Sequence, residues 1–173
     1  MGKKRIVIHG AAGRMGQRLI ALAAADPQWE IVGALESASH PQLGKDAGEI
    51  AGVGPLQLPL ASALPEADVV IDFSVPEATA ALAKVCAKQS VPLVTATTGL
   101  QETQLQAVQD AAGKIAVLWA PSMSLLVNLT MKLAEMAGAA LKEYESGVDV
   151  EIIERHHRFK EDAPSGTALR FGQ

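Results

Sequence analysis

Cysteine is nearly absent. A single one, Cys86, stands among 173 residues. No internal disulfide can form, which excludes a secreted disulfide scaffold and any zinc centre built from several cysteines. Cys86 lies in AALAKVCAKQ, a helical pattern in which a small buried apolar residue is the natural reading. Aromatic residues are scarce at 3%, with two Trp, one Tyr and three Phe, too few for a base-stacking platform. Positive charge is also short. Lys and Arg total 15 against 19 Asp and Glu, a net charge of −4, and this argues against a sequence-independent nucleic-acid binder. No apolar run reaches the roughly 18 residues of a membrane-spanning helix. The start, MGKKRIVIHG, has too short an apolar stretch for a secretory signal. The expectation is a soluble, cytoplasmic protein with neither nucleic acid nor membrane as partner.

What is present is aliphatic. Hydrophobic residues make up 49% and alanine alone contributes 30 of 173, enough to bury a core and to exclude disorder. Strands are predicted at Arg5–His9, Trp29–Leu35, Asp68–Phe73, Val91–Thr95 and Ile115–Trp119 from short β-branched runs bounded by turn residues. Helices are predicted at Arg14–Ala25, at Pro76–Gln89 with Ser74 as its cap, at Glu102–Ala112 and at Ser122–Leu141. Ser37–Pro59 reads as a long loop with at most a short strand. Asp149–Glu154 alternates like a half-exposed strand, and Ser165 begins a last helix. Strand and helix alternate five times, which predicts an α/β fold with a parallel sheet and helices on both faces. The pattern breaks near Pro121–Asn128. The predicted domains are residues 1–123 and, of different character, 124–173.

Two stretches carry chemistry. The first is GAAGRMG, with Gly10, Gly13 and Gly16 between a strand and a helix. Glycine removes the Cβ that would block a phosphate, and the helix N-terminus offers N–H groups and partial positive charge. That context suits a Rossmann-type dinucleotide site, although GxxGxxG also serves as a plain tight turn. Glu36 ends the second strand 20 residues after Gly16, where a carboxylate accepts from ribose hydroxyls. Ser37 follows where a cation would favour the 2′-phosphate of NADPH, so the pair leans to NADH. Arg14, in the glycine turn, and His9 can partly substitute for that cation and leave NADPH open. Thr97-Thr98-Gly99 and Ala120–Met123 follow the fourth and fifth strands, at the end of a parallel sheet where ligands bind.

The second stretch is EIIERHHRFKEDAPSGTAL, residues 151–169. His156, His157, Arg158 and Lys160 precede Ser165-Gly166-Thr167, a cationic loop beside a predicted helix start. Such a loop can hold an anion and donate a proton. It also reads as a solvated charged loop with a capping serine. No metal is expected, because adjacent histidines on an extended chain point to opposite sides.

Together, GAAGRMG and ERHHRFKEDAPSGTAL resemble the bacterial dihydrodipicolinate reductases. DAGEIAG (46–52), VIDFSVPE (70–77), ATTG (96–99) and APSMS (120–124) add to the resemblance. It implies hydride transfer from a nicotinamide to a cyclic, unsaturated dicarboxylic imine, in the diaminopimelate route to lysine. His156 is implied as the general acid and Lys160 as the cation that stabilises developing charge. His157, Lys160, Ser165, Gly166 and Thr167 are implied as holders of the substrate carboxylates. The cofactor set becomes Gly10, Gly13, Arg14, Met15, Gly16, Glu36, Ser37, Phe73, Ala96, Thr97, Thr98, Gly99, Ala120 and Met123. Two departures stand out: Ala96 replaces the first glycine of GTTG, and LLVN (125–128) replaces VGVN. The resemblance also implies a homotetramer and a second, α+β substrate and oligomerisation domain that continues beyond Gln173, so that only its start is present. The competing readings are a nucleotide-binding module without catalysis, and another two-domain amino- or keto-acid dehydrogenase.

Overall fold

The computed structural model describes residues 2–156, 158, 160 and 163–172. The chain divides into two compact units, Met1–Trp119 and Ala120–Gln173. The first is a six-stranded parallel sheet in the order β3-β2-β1-β4-β5-β6. Its strands are β1 (Lys4–His9), β2 (Trp29–Leu35), β3 (Leu60–Ala61), β4 (Val69–Asp72), β5 (Leu93–Thr95) and β6 (Val117–Trp119). The helices are α1 (Arg14–Ala25), the short α2 (Ala47–Ile50), α3 (Pro76–Gln89) and α4 (Glu102–Ala112).

Alternation along β1 sorts the core into two layers. Ile6 and Ile8 pack with Ile20 and Ala23 of α1. Val7 faces the opposite way and packs with Val70, Leu93, Leu82 and Cys86 of α3, and Val108 of α4. Both faces of the central strands are therefore covered, which explains why they read as continuous β-branched runs rather than alternating ones. Cys86 is fully buried, and burial pushes its thiol up to about 12, so it is packing rather than a nucleophile.

The predicted helices α1, α3 and α4 have the expected limits. Other expectations need correction. The N-cap of α3 is Val75, not Ser74; the Ser74 hydroxyl turns back to Asp72, 2.6 Å away. The Ser37–Pro59 loop contains α2, because Asp46 caps it and accepts from the N–H groups of Gly48, Glu49, Leu56 and Leu58. The short strand β3 follows that loop as the sheet's edge.

In the second unit, α5 runs over Leu125–Leu141 with Ser124 as its cap, three residues later than expected, and α6 spans Gly166–Phe171. Residues 149–154 form no strand. No strand lies among the described residues of this unit to pair with them, and an alternating pattern becomes a strand only where a ladder satisfies its backbone.

Candidate functional site

The sheet order reverses between β1 and β4, the switch point where an open parallel sheet binds ligands beyond its carboxyl ends. A cleft of about 640 Å3 opens there. Its walls include His9, Gly10 and Gly13 from the β1–α1 turn, Glu36 and Ser37 after β2, and Phe73, Ser74 and Val75 after β4. A second hollow, about 420 Å3, lies under the C-terminal half of α1, lined by apolar residues such as Ile6, Leu19 and Trp29, away from the carboxyl ends of the strands.

The glycines are required by space. Gly10 has φ +72° and a Cβ there would sit 2.7 Å from the Phe73 carbonyl oxygen. A Cβ on Gly16 would sit 2.2 Å from the Gly10 oxygen. Gly16 therefore lets α1 close onto the glycine turn itself, a different contact from the helix-on-strand packing usual for a third glycine. The α1 N-terminus has no capping side chain and no acidic residue in its first turn, and Arg14 and Met15 are exposed there. That arrangement fits the pyrophosphate of a dinucleotide.

Glu36 is less open than its position suggests. Its Oε1 accepts from the Ala12 N–H at 2.9 Å, tying the end of β2 to the glycine turn. Ser37 is exposed, its hydroxyl 3.0 Å from that of Ser39. In the β5–α4 loop, Thr97 turns inward and is buried, while Thr98 and Gly99 are exposed. Ala96 donates its N–H to the Asp72 carbonyl, and the Trp119 indole donates to the Thr97 carbonyl at 3.0 Å. Ala120 and Met123 belong to the second unit.

Sequence reasoning missed Asp72. The register pairs His9 with Asp72 and Asp72 with Thr95, so their side chains meet on one face at the strand ends. Asp72 Oδ1 accepts from His9 Nδ1 at 2.7 Å and from Ser74 N and Oγ. Oδ2 accepts from Thr79 at 2.6 Å, Thr95 at 2.7 Å and Thr97 at 3.2 Å. Burial opposes ionisation of Asp72, yet these donors outweigh it and bring the carboxyl down to about 2. A carboxylate only accepts, so His9 Nδ1 carries the shared hydrogen. The available signal was an acidic residue closing an apolar run, DVVIDF, with serine and threonine just after it.

In the second unit, Glu154 joins the halves of the cationic motif. It accepts from His156 Nε2 at 2.8 Å, from Ser165 N at 2.8 Å and from the Ser165 hydroxyl. Those bonds hold its carboxyl at about 2. Ser165 is buried and also caps α6, accepting from Ala168 N at 3.0 Å. Lys160, Gly166 and Thr167 are partly exposed. His157 lies outside the described residues. Among the described residues no group of acidic, histidine or cysteine side chains is arranged to hold a metal, and no helix is long and apolar enough to cross a membrane.

Two family profiles match in succession. The one described as dihydrodipicolinate reductase, N-terminus, covers residues 4–123, and its C-terminal counterpart covers 126–173. The chain belongs to the dihydrodipicolinate reductase family. Among curated relatives, the 4-hydroxy-tetrahydrodipicolinate reductase of Rhodopirellula baltica is 52% identical over 99% of this chain and 64% of its own length. That of Alkalilimnicola ehrlichii is 50% identical over 98% of this chain and 64% of its own. A dipicolinate-bound dihydrodipicolinate reductase from Paenisporosarcina superposes with a TM-score of 0.70 at 28% identity, covering 98% of this chain and 64% of that one. The chain thus spans about 64% of the length of the dihydrodipicolinate reductases it matches.

Proposed function

We propose that this chain carries the cofactor cleft and the reacting residues of a 4-hydroxy-tetrahydrodipicolinate reductase. The observation that carries the reading is the order of the two family matches, residues 4–123 then 126–173. The first holds a glycine-lined cleft at the sheet's switch point, and the second holds the His156–Thr167 motif. The substrate is a cyclic, unsaturated dicarboxylic imine, and the enzyme works as a cytoplasmic homotetramer.

A reduced nicotinamide dinucleotide supplies a hydride when bound. The turn at Gly10, Gly13 and Gly16 cradles its pyrophosphate, with Arg14 and Met15 on the first turn of α1. Glu36 and Ser37 receive the adenosine ribose, and a neutral serine beside a carboxylate favours NADH over the extra phosphate of NADPH. Arg14 provides a cation through which NADPH is also held. Phe73, Ala96, Thr97, Thr98, Gly99, Ala120 and Met123 serve as the nicotinamide walls. His156 acts as the general acid, held through Nε2 by Glu154. Lys160 stabilises the negative charge that develops as the imine is reduced. Lys160, His157, Ser165, Gly166 and Thr167 hold the substrate carboxylates. Engagement at Ser165 requires Glu154 to give way, since that carboxylate already takes both the Ser165 N–H and its hydroxyl.

Titration of NADH and NADPH against the 173-residue chain, with and without pyridine-2,6-dicarboxylate, tests the reading. NADH is expected to bind more tightly than NADPH, and the dicarboxylate to tighten dinucleotide binding about threefold or more, since coupled sites share a free energy. If neither dinucleotide binds, the assignment fails. If a dinucleotide binds and the dicarboxylate has no effect, the chain is a nucleotide-binding module and not a reductase.

A further inference from the structure

A buried charge is costly unless donors surround it. Asp72 is fully buried and its two oxygens have different audiences. Oδ1 serves the cleft side, through the His9 imidazole and the Ser74 backbone and hydroxyl. Oδ2 serves the β5–α4 side, through the hydroxyls of Thr79, Thr95 and Thr97. The Thr79 and Thr97 hydroxyls are themselves 2.7 Å apart. Thr97 is further pinned by its N–H to the Thr95 hydroxyl and by Trp119 on its carbonyl. One carboxylate therefore ties the end of β1 and the turn after β4, both of which line the cleft, to the chain at the end of β5. His9 lines that cleft beside Gly10, and its side chain is only 13% exposed.

We propose that Asp72 is the positioning residue of the dinucleotide cleft: through His9, Ser74, Thr79 and Thr97 it couples the glycine turn to the Ala96–Thr97 loop, so that both walls are set before the dinucleotide arrives. The proposal rests on the dinucleotide reading above. Asp72 lies at the switch point with one oxygen toward His9 and Ser74, which line the cleft, and the other toward the threonines at the end of β5 and in the loop after it. With Nδ1 donating to Asp72, the imidazole is fixed in orientation at the cleft wall, and an immobile wall lowers the ordering cost of binding. Thr79, on α3, does not itself line the cleft; its hydroxyl lies 2.7 Å from that of Thr97 and 3.3 Å from that of Ser74, so it acts by joining Asp72 to both.

The test uses the full chain with Trp29→Phe, leaving Trp119 as the reporter of the Thr97 loop. Binding of NADH and of NADPH is followed by Trp119 quenching, and folding by circular dichroism and thermal midpoint. Asp72→Asn keeps the volume and removes the charge. It is expected to weaken dinucleotide binding about tenfold or more, the worth of one to two charge-assisted hydrogen bonds, and to shift Trp119 emission to longer wavelength. Thr79→Val is expected to weaken binding severalfold, and Thr79→Ser to restore it to within about twofold of the parent, because serine retains the hydroxyl. A folded Asp72→Asn that binds within about twofold of the parent overturns the proposal. If Asp72→Asn does not fold, Thr79→Val decides: lowered thermal midpoint with unaltered affinity means the network is structural only. If the parent itself binds neither dinucleotide, the cofactor reading falls and the positioning role with it.

Discussion

At the residue scale, two positions turn physical necessity into measurable outcomes. A methyl at Gly16 would lie 2.2 Å from the Gly10 oxygen and 2.6 Å from the Ala11 Cα. Neither atom belongs to a flexible side chain, so α1 must back away from the turn. Gly16→Ala is expected to cost about 3 kcal/mol in urea unfolding, the upper range for overpacking, and to abolish dinucleotide binding even where the protein remains folded. Unchanged affinity would mean that the turn is not the phosphate cradle. The second position is Asp72, whose carboxyl lies at about 2 in the folded chain against an ordinary value of 3.8. A depressed carboxyl contributes stability above its unfolded value, and the contribution fades as pH falls through the folded one. The loss belongs between about pH 4 and pH 2 and amounts to about 2 kcal/mol. Urea midpoints across that window should fall more steeply for the parent than for Asp72→Asn, and parallel profiles would refute the assignment.

At the element scale, what a sequence discloses depends on the range of the interaction. The limits of α1, α3 and α4 follow from local periodicity and stop signals, and they agree with the structure. The Asp72 cluster depends on register between β1, β4 and β5, which no local pattern encodes. For the same reason Ser74 reads as a cap when its hydroxyl serves Asp72, and residues 149–154 read as a strand that has no ladder. The GAAGRMG turn was legible because glycine spacing between a strand and a helix has a steric cause. Glu154 was not assigned a role, because its link to Ser165 spans eleven residues. The loop before β3 illustrates the middle ground. Asp46 holds four backbone N–H groups across residues 48–58, and these bonds hold its carboxyl below the usual range, led by the Leu56 N–H. Asp46→Ala leaves those donors to water. Proteolysis within 37–59 should then accelerate roughly tenfold, since cleavage follows local opening, while cleavage elsewhere stays unaltered. Equal rates in parent and variant would show that the Asp46 bonds do not order the loop.

At the scale of the whole molecule, the two units differ in what they bury. Among the described residues, every buried apolar one lies at or before Ala111, and Ser165 is the buried one of the second unit. Helix α5 carries Leu125 at 85% exposure and Leu126 at 72%, with Leu129, Leu133 and Met136 also more than half exposed. Most helical stability comes from packing an apolar face, not from propensity, so α5 has little to hold it in dilute solution. The β1 and β4 strands, by contrast, lie between two apolar layers. Amide hydrogen exchange should therefore separate the units. Protection in β1 and β4 should approach the global unfolding limit, whereas α5 amides should exchange about a thousandfold faster or more, because opening free energies scale with buried contact. Comparable protection in α5 would mean that its apolar face is covered in solution, and dilution would then tell association of chains, which is lost on dilution, from packing within one chain, which is not.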